Sequence, residues 1–320
     1  RRPMMPYEAV SYLWGSAELR ETIWIGGRWL RVTASVFELL GRLRAAQGRR
    51  SQRRGRHEYL WVDAICINQA DDVEKSQQVQ QMRHVYATAR RVIFHLGPPT
   101  SDTDLLMEGL WRLQMSSREK QGAGSLEHSL AEEDGEAWRR VRSRLGRRHA
   151  NVWVRQHNAL HELLGRSWFE RVWVVQEVWN ARDGIVHCGR WAVSCRVFVA
   201  APELLNVHVA GQRKQILDAM PSSPGRLAAT TGGQERDLYA MLQSFRNAAA
   251  TNERDRIYAL LGLCGSTEDN GRGPLLTDYT VDEAEVVRNT IAYLCGCSVA
   301  CLPRDPSATV RSFLSNLPTL

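Results

Sequence analysis

The period of apolar and polar positions changes several times along the chain, and each change marks an element. Residues 7–13, YEAVSYL, form a short apolar run that Trp14-Gly15 breaks, which predicts a first strand. Two β-rich runs within 23–32 flank Gly26-Gly27. They predict a hairpin, because glycine supplies the positive φ of a two-residue turn. Thr33 is placed to cap a helix over about 34–47, with Val36, Leu39, Leu40 and Leu43 on one face. The Arg-rich residues 48–56 read as a loop. Residues 58–67, EYLWVDAICI, predict a second core strand, and alternation within it buries Cys66 as an inert thiol. A helix over about 71–89 follows, capped by Asp71 or Asp72, with a stripe of Val79, Met82, Val85, Tyr86 and Ala89. A third strand, 91–96, stops at Gly97-Pro98-Pro99.

Beyond this point helices dominate. One is predicted over 101–116. The polar, charged stretch 117–150 carries no β pattern and reads as a partly helical insertion. A helical period returns over 152–181, with Trp168, Phe169, Trp173 and Val174 prominent. Residues 184–188 and 190–193 predict a short β pair around Cys188-Gly189. Helices follow at about 195–207, 235–248, 254–263 and 282–296, with a Pro/Ser/Gly-containing linker at 219–233. No internal repeat is present.

Alternating strands and helices in the first hundred residues predict a parallel sheet with helices on its faces. Ligands of such sheets bind outside the carboxyl ends of the strands. The stretch WVDAICINQ, 61–69, places Asp63, Asn68 and Gln69 at such an end. These side chains read either as a polar network at the mouth of a site or as a lock on the strand-to-helix turn.

Composition narrows the class. A hydrophobic fraction of 43% and a charged fraction of 24% suit a globular chain of one or two domains. There is no apolar run long enough for a membrane span and no apolar core of a secretory signal. Position 1 is Arg rather than Met, so the chain reads as a fragment. Seven scattered cysteines predict free thiols in a reducing compartment. The net charge of +7 is local. Arg49, Arg50, Arg53, Arg54 and Arg56 form one run; Arg139, Arg140, Arg142, Arg144, Arg147 and Arg148 form another. Without these eleven, 31 basic residues face 35 acidic ones. Few aromatics interleave the runs, so they read as a solvated loop and helix face rather than a nucleic-acid surface. Several chemistries drop out. His157-Asn-Ala-Leu-His161 lacks the Glu of a zinc protease, and Cys295, Cys297 and Cys301 lack a second pair at zinc-ligand spacing. No phosphate-binding loop, dinucleotide glycine fingerprint or nucleophile elbow occurs.

Four blocks stand out together: YEAVSYLWG at 7–15, LWVDAICINQ with EKSQQVQQM at 60–82, RSWFERVWVVQEV at 166–178 and NERDRIYALLGL at 252–263. In content and order they resemble the fungal heterokaryon incompatibility (HET) domain. The resemblance covers 7–200 well and 250–290 less tightly. It implies a HET domain over 1–200, with 117–150 a charged insertion, and a mostly helical C-terminal extension over 201–320, cut short at Leu320. The family has been likened to the Toll/interleukin receptor (TIR) domain. The implied fold class is therefore α/β: a parallel-sheet, TIR-like core with helical insertions and a mostly helical C-terminal part. NAD-cleaving TIR domains often carry Trp-Cys-x-x-Glu. Here Trp173-Val-Val-Gln-Glu177 keeps the spacing, with Val174 in place of the Cys. Their first strand often ends in Ser-Tyr or Ser-Phe, as Ser11-Tyr12 does here.

The resemblance implies a cytoplasmic effector of fungal non-self recognition that leads to regulated cell death. Its implied chemistry is binding or cleavage of NAD, as substrate and without a resident cofactor or metal. Glu177 is the expected catalytic carboxylate, since cleaving the nicotinamide–ribose bond builds positive charge on the ribose. Its rival role is an ion pair with Arg166 or Arg171. Ser11, Trp14, Asp63, Asn68, Gln69 and Trp173 are the expected ligand contacts, although tryptophans are more often core. The expected partners are an incompatibility partner protein or a second copy, without nucleic acid or membrane. The competing function is a non-enzymatic death-signalling module acting through self-association or partner binding.

Overall fold

The computed structural model describes residues 5–51, 59–121, 130–226, 237–264 and 275–318. Five strands make the central sheet: β1 (Tyr7–Ser11), β4 (Tyr59–Trp61), β5 (Arg91–His95), β6 (Gly184–Cys188) and β7 (Trp191–Ser194). Their order is β4-β1-β5-β6-β7. The first four run parallel, and β7 returns antiparallel to β6. The α/β class and the parallel sheet predicted from the pattern are both present.

The chain moves from β1 outward to β4 through α1 (Ala34–Ser51), then back across β1 to β5 through α3 (Asp72–Gln80) and α4 (Met82–Thr88). Right-handed crossovers in opposite directions place their helices on opposite faces. The strand period of two confirms this. Val10, Tyr12 and Ile93 pack with Val36, Leu39 and Leu43 of α1. Their neighbours Ala9, Val92 and Phe94 pack with Met82 and Tyr86 of α4. The connection therefore reverses direction at β1, between β4 and β5.

The hairpin of β2 (Glu21–Ile25) and β3 (Arg28–Val32) forms as predicted, with Gly26 and Gly27 at φ of 56° and 83°. The strand expected over 58–67 does not. It ends at Trp61, and α2 (Asp63–Cys66) begins at once. Asp63 is the cause. Its Oδ1 accepts the Ala64 N–H at 2.7 Å, while Ile65 and Cys66 both donate to the Val62 carbonyl. Short acidic side chains compete with a strand ladder in this way. The turn carries Cys66 to the surface, so the thiol is exposed rather than buried.

The helix expected over 71–89 breaks at Gln81 into α3 and α4, and Asp71 caps it by accepting from Val73 and Glu74 at 3.0 Å. The charged stretch after α5 (Ser101–Gln121) is helical in its described part as α6 (Leu130–Gly146). Trp138, Val141 and Leu145 bury against the main core, while Arg139, Arg140 and Arg144 face out. The second Arg run is thus the solvated side of an amphipathic helix, with Arg147 and Arg148 exposed in the turn after it; the side chains of the first run lie outside the described residues. The period over 152–181 resolves into α7 (Val152–Leu164), a 3-10 turn at Ser167–Glu170 and α8 (Val172–Asn180). Beyond the sheet come α9 (Cys195–Val199), α10 (Ala201–Leu204), α11 (Gly211–Ala219), α12 (Leu238–Phe245), α13 (Asp255–Leu261), α14 (Glu283–Cys295) and α15 (Val310–Ser315). Pro202 separates α9 from α10 within the predicted 195–207, and the pattern missed α11 and α15. The first eight residues of the predicted 219–233 linker are described: α11 ends in them and a turn follows.

Helix α8 is largely apolar and is enclosed between two cores. Val174 and Val178 face the core that lies on the sheet, while Val172 and Val175 face a second core built by α12, α13, α14 and α15. Gln176 and Glu177 are carried into the interior with them. Close packing elsewhere has a measurable consequence. A Cβ on Gly184 would sit 2.6 Å from the Phe94 ring and 2.7 Å from Cys195 Sγ. Gly184→Ala should therefore lower the unfolding free energy by about 1–3 kcal/mol in urea titration. An unchanged midpoint would mean that ring and thiol yield freely.

Candidate functional site

A cavity of about 490 Å³ opens at the carboxyl ends of β1 and β4. That volume lies within the range of small-molecule sites, about 300–1,000 Å³. Trp14, beyond the end of β1, and Asp63 and Gln69, after β4, form one side. Lys75 and Val79 of α3 and Met82 of α4 form another. Arg171 and Trp173 at the start of α8 form a third. Residues 249–252, Asp255 and Tyr279 close it from the C-terminal half.

Two indoles in this wall are each tied by a carboxylate. Trp14 Nε1 donates to Asp63 Oδ2 at 2.8 Å, and Trp173 Nε1 donates to Asp255 Oδ2 at 3.0 Å. Gln69 Nε2 donates to the Asp63 carbonyl at 3.4 Å. Tyr279 donates its hydroxyl to Asp255 Oδ1 at 2.6 Å, and the Lys75 ammonium lies 4.2 Å above the Tyr279 ring. Asn68, expected beside them, is exposed instead. Its side chain accepts the Ala70 N–H and so locks the turn before α3.

Ser11 and Glu177 lie behind this wall rather than in it. Ser11, 1% exposed, donates its hydroxyl to Glu177 and accepts from Trp168 Nε1 at 2.9 Å. Glu177 is 2% exposed. Arg171 stands between the two layers. Its Nη1 donates to the Tyr12 carbonyl at the end of β1, and it faces the cavity. Its charge acts on three acids at once: Glu177, Asp63 and Asp255.

Burial sets the proton affinities. It pushes the Glu177 carboxyl up to about 7, against Arg171 and the Ser11 hydroxyl, which favour the ionised form. Burial likewise raises Asp63, opposed by Arg171 and the Trp14 and Ala64 donors. It raises Asp255 too, opposed by Tyr279 and Trp173. The Tyr12 hydroxyl makes no hydrogen bond of normal length, yet burial and the nearby Asp63 charge hold its proton on. A carboxyl that titrates near neutrality can give or take a proton at working pH. The cavity itself offers flat aromatic faces, carboxylates that can accept from hydroxyls, and two cations that can pair with phosphate oxygens. Among the described residues, no group of three or more His, Cys, Asp or Glu is arranged to hold a metal.

The model of the family described as "Heterokaryon incompatibility protein (HET)" matches residues 7–177, from the first residue of β1 to Glu177. The chain belongs to the HET family. The matched segment holds every expected site residue and the cavity wall as far as Trp173. Asp255 and Tyr279, which complete that wall, lie outside it. A Neurospora crassa relative, "Heterokaryon incompatibility protein 6, OR allele", is 27% identical over 317 aligned residues. The alignment covers 87% of this chain but 45% of that relative, so the chain spans under half the length of the curated protein it matches. No solved structure matches. Among the described residues, no helix is long and apolar enough to cross a membrane.

Arg171, Lys75, Asp255 and Tyr279 are cavity residues that the sequence did not single out as ligand contacts. Three of them sit inside the quoted blocks: Lys75 in EKSQQVQQM, Arg171 in RSWFERVWVVQEV and Asp255 in NERDRIYALLGL. Membership of those blocks was the available signal, since their charged residues are too many for charge alone to pick these three out. Tyr279 carried none.

Proposed function

We propose that this chain is the effector part of a heterokaryon incompatibility protein, acting in fungal non-self recognition and regulated cell death, and that its cavity binds a nicotinamide dinucleotide. The cavity carries the proposal. It sits at the strand ends where the connection reverses direction, the usual ligand position of such sheets. Trp14 and Trp173 offer faces for flat rings, Asp63 and Asp255 offer acceptors for ribose hydroxyls, and Arg171 and Lys75 offer charge for the pyrophosphate. The likeness to TIR domains supports the same ligand through the Trp173-to-Glu177 spacing. In cleavage, Glu177 would stabilise the cationic ribose, for which it must come through the layer held by Ser11, Trp168 and Arg171.

That layer also supports the second reading, a non-enzymatic signalling module whose output comes from self-association or a partner protein. A carboxyl bonded to Ser11, 2% exposed and absent from the cavity wall, is what a structural glutamate looks like. One experiment separates the readings. Calorimetric titration with NAD, beside NAD consumption at high protein concentration, is run on the parent chain and on Glu177→Gln. The effector-enzyme reading expects binding by both and consumption only by the parent. Binding without consumption in either removes the enzyme and keeps the site. No binding by folded parent chain removes the dinucleotide and leaves the module.

A further inference from the structure

Trp173 belongs to α8, but the atom that holds its ring belongs to the other half of the chain. Its Nε1–H ends on Asp255 Oδ2 at 3.0 Å, and Asp255 opens α13. Asp255 is fixed in turn by the Tyr279 hydroxyl at 2.6 Å. Tyr279 is 3% exposed, and its backbone N–H donates to Ser76 Oγ at 2.9 Å. Nearby, Thr277 Oγ1 donates to the Ser76 carbonyl at 3.0 Å, and Gln80 Nε2 donates to the Thr277 carbonyl at 3.1 Å. A second seam joins Ala249 to the start of α8. Val172 N–H donates to the Ala249 carbonyl at 2.9 Å, and Ala249 N–H donates to Glu170 at 2.6 Å. The far wall of the cavity is thus hydrogen-bonded onto the HET-matched segment at both ends, with Asp255 at its centre.

We infer that Asp255 is a positioning residue, holding the Trp173 indole in the orientation that gives the cavity its aromatic wall for a flat heteroaromatic ring. The inference rests on the reading that the cavity takes a nucleotide. One side of Trp173 packs on both hydrophobic cores and the other faces the cavity. Rotating the ring would break the bond to Asp255 and leave a desolvated carboxylate oxygen without its donor, which such groups rarely tolerate. Trp14 shows the same device elsewhere in the cavity lining, with Asp63 as its anchor. Asp63, however, lies within the family-matched segment, whereas Asp255 brings the C-terminal half into the site.

The test reads the ring and the ligand separately. A ¹H–¹⁵N spectrum of the full chain follows the Trp173 indole proton, assigned with Trp173→Phe, while NAD is the binding probe. In the parent, the proton should lie downfield of a free indole and exchange slowly. Asp255→Ala should return it to the free position and weaken NAD binding about tenfold or more, the scale of a lost buried hydrogen bond. Asp255→Asn should keep both within about threefold. Its carbonyl can still accept from the indole, and its amide can donate to the Tyr279 oxygen. A free-indole shift in the parent overturns the inference. So does an Asp255→Ala chain that folds and keeps either the shift or the affinity, or an Asn variant as weak as Ala. Should Asp255→Ala fail to fold, the parent shift and the Asn variant decide. Should the parent bind no NAD, the dinucleotide reading falls, and the indole shift alone settles what Asp255 holds.

Discussion

Arg171→Met should destabilise the chain by roughly 2–4 kcal/mol at pH 8, and by clearly less at pH 5, in urea titrations. The guanidinium is the shared counter-charge of Glu177, Asp63 and Asp255, and it donates to the Tyr12 carbonyl at the end of β1. Removing one partner of a fully buried pair typically costs about 3–5 kcal/mol, because a charge is left behind without compensation. The value expected here is lower, since Arg171 acts on the three acids through its charge without a direct ion pair to any of them, and it faces the cavity, where water screens part of the interaction. Acid should relieve the loss. Without Arg171 the three carboxyls hold their protons more tightly still, and protonation removes the charges that need a partner. Arg171→Lys should recover part of the stability at pH 8 through its charge, but not the fixed fork that reaches Tyr12. A loss under about 1 kcal/mol at pH 8 would show that water in the cavity, not Arg171, compensates these acids.

The framework of the fold was written in periods the chain could not easily disguise. The runs at 7–13 and 91–96 lack charges at their centres and become β1 and the central strand β5. Gly26-Gly27 sets the hairpin because both positions need positive φ. Helix boundaries were harder, since a break needs no change of period. The stripe through Val79, Met82 and Tyr86 runs on across Gln81, where the backbone merely tightens for one residue. The extended α1 illustrates the same point: the helix continues to Ser51 through residues whose polarity looked like a loop. At 58–67, β-branched and aromatic content predicted a strand, but the local bond of Asp63 to Ala64 outweighed it.

The site was legible by residue and not by layer. Trp14, Asp63, Gln69 and Trp173 all line the cavity, Ser11 and Glu177 meet one layer deeper, and Asn68 stays at the surface. The pattern placed Ser11, Trp14, Asp63, Asn68 and Gln69 at or just past strand ends, while Trp173 and Glu177, on a helix, were brought to the site by the family resemblance. Sequence alone could not say which face of α8 would meet the cavity, because Gln176, Glu177 and Asn180 mark one side as polar without telling a cavity wall from a buried network. Nor could it bring Asp255 and Tyr279 to the same cavity, since both arrive by packing of the second core, more than seventy residues further along the chain.

Glu177→Gln should flatten the dependence of stability on pH by about 3 kcal/mol between pH 4.5 and pH 8. In the folded chain burial raises this carboxyl from its ordinary 4.5 to about 7, so the folded state binds the proton more tightly than the unfolded one. Below pH 4.5 both states are protonated and the group's contribution to stability is fully present. Between 4.5 and 7 the unfolded chain ionises while the folded one does not, and stability falls by about 1.4 kcal/mol per pH unit. Above 7 both are ionised and the loss is complete. A glutamine keeps the shape and an acceptor for Ser11 but cannot ionise, so its unfolding free energy lacks this fall. The absolute value carries a second term: the amide brings donors that must find partners in a buried position, at a cost of about 1–3 kcal/mol if they do not. The difference between the two pH values is free of that term, since it is the same at both. Urea titrations of parent and variant at pH 4.5 and pH 8 measure it. Equal pH dependence in the two chains would mean that folding leaves the proton affinity of Glu177 unchanged, Arg171 and Ser11 offsetting its burial. A neutral Glu177 at pH 6 is also the form able to give a proton, so the same pair of titrations shows in which protonation state any chemistry at this carboxyl begins.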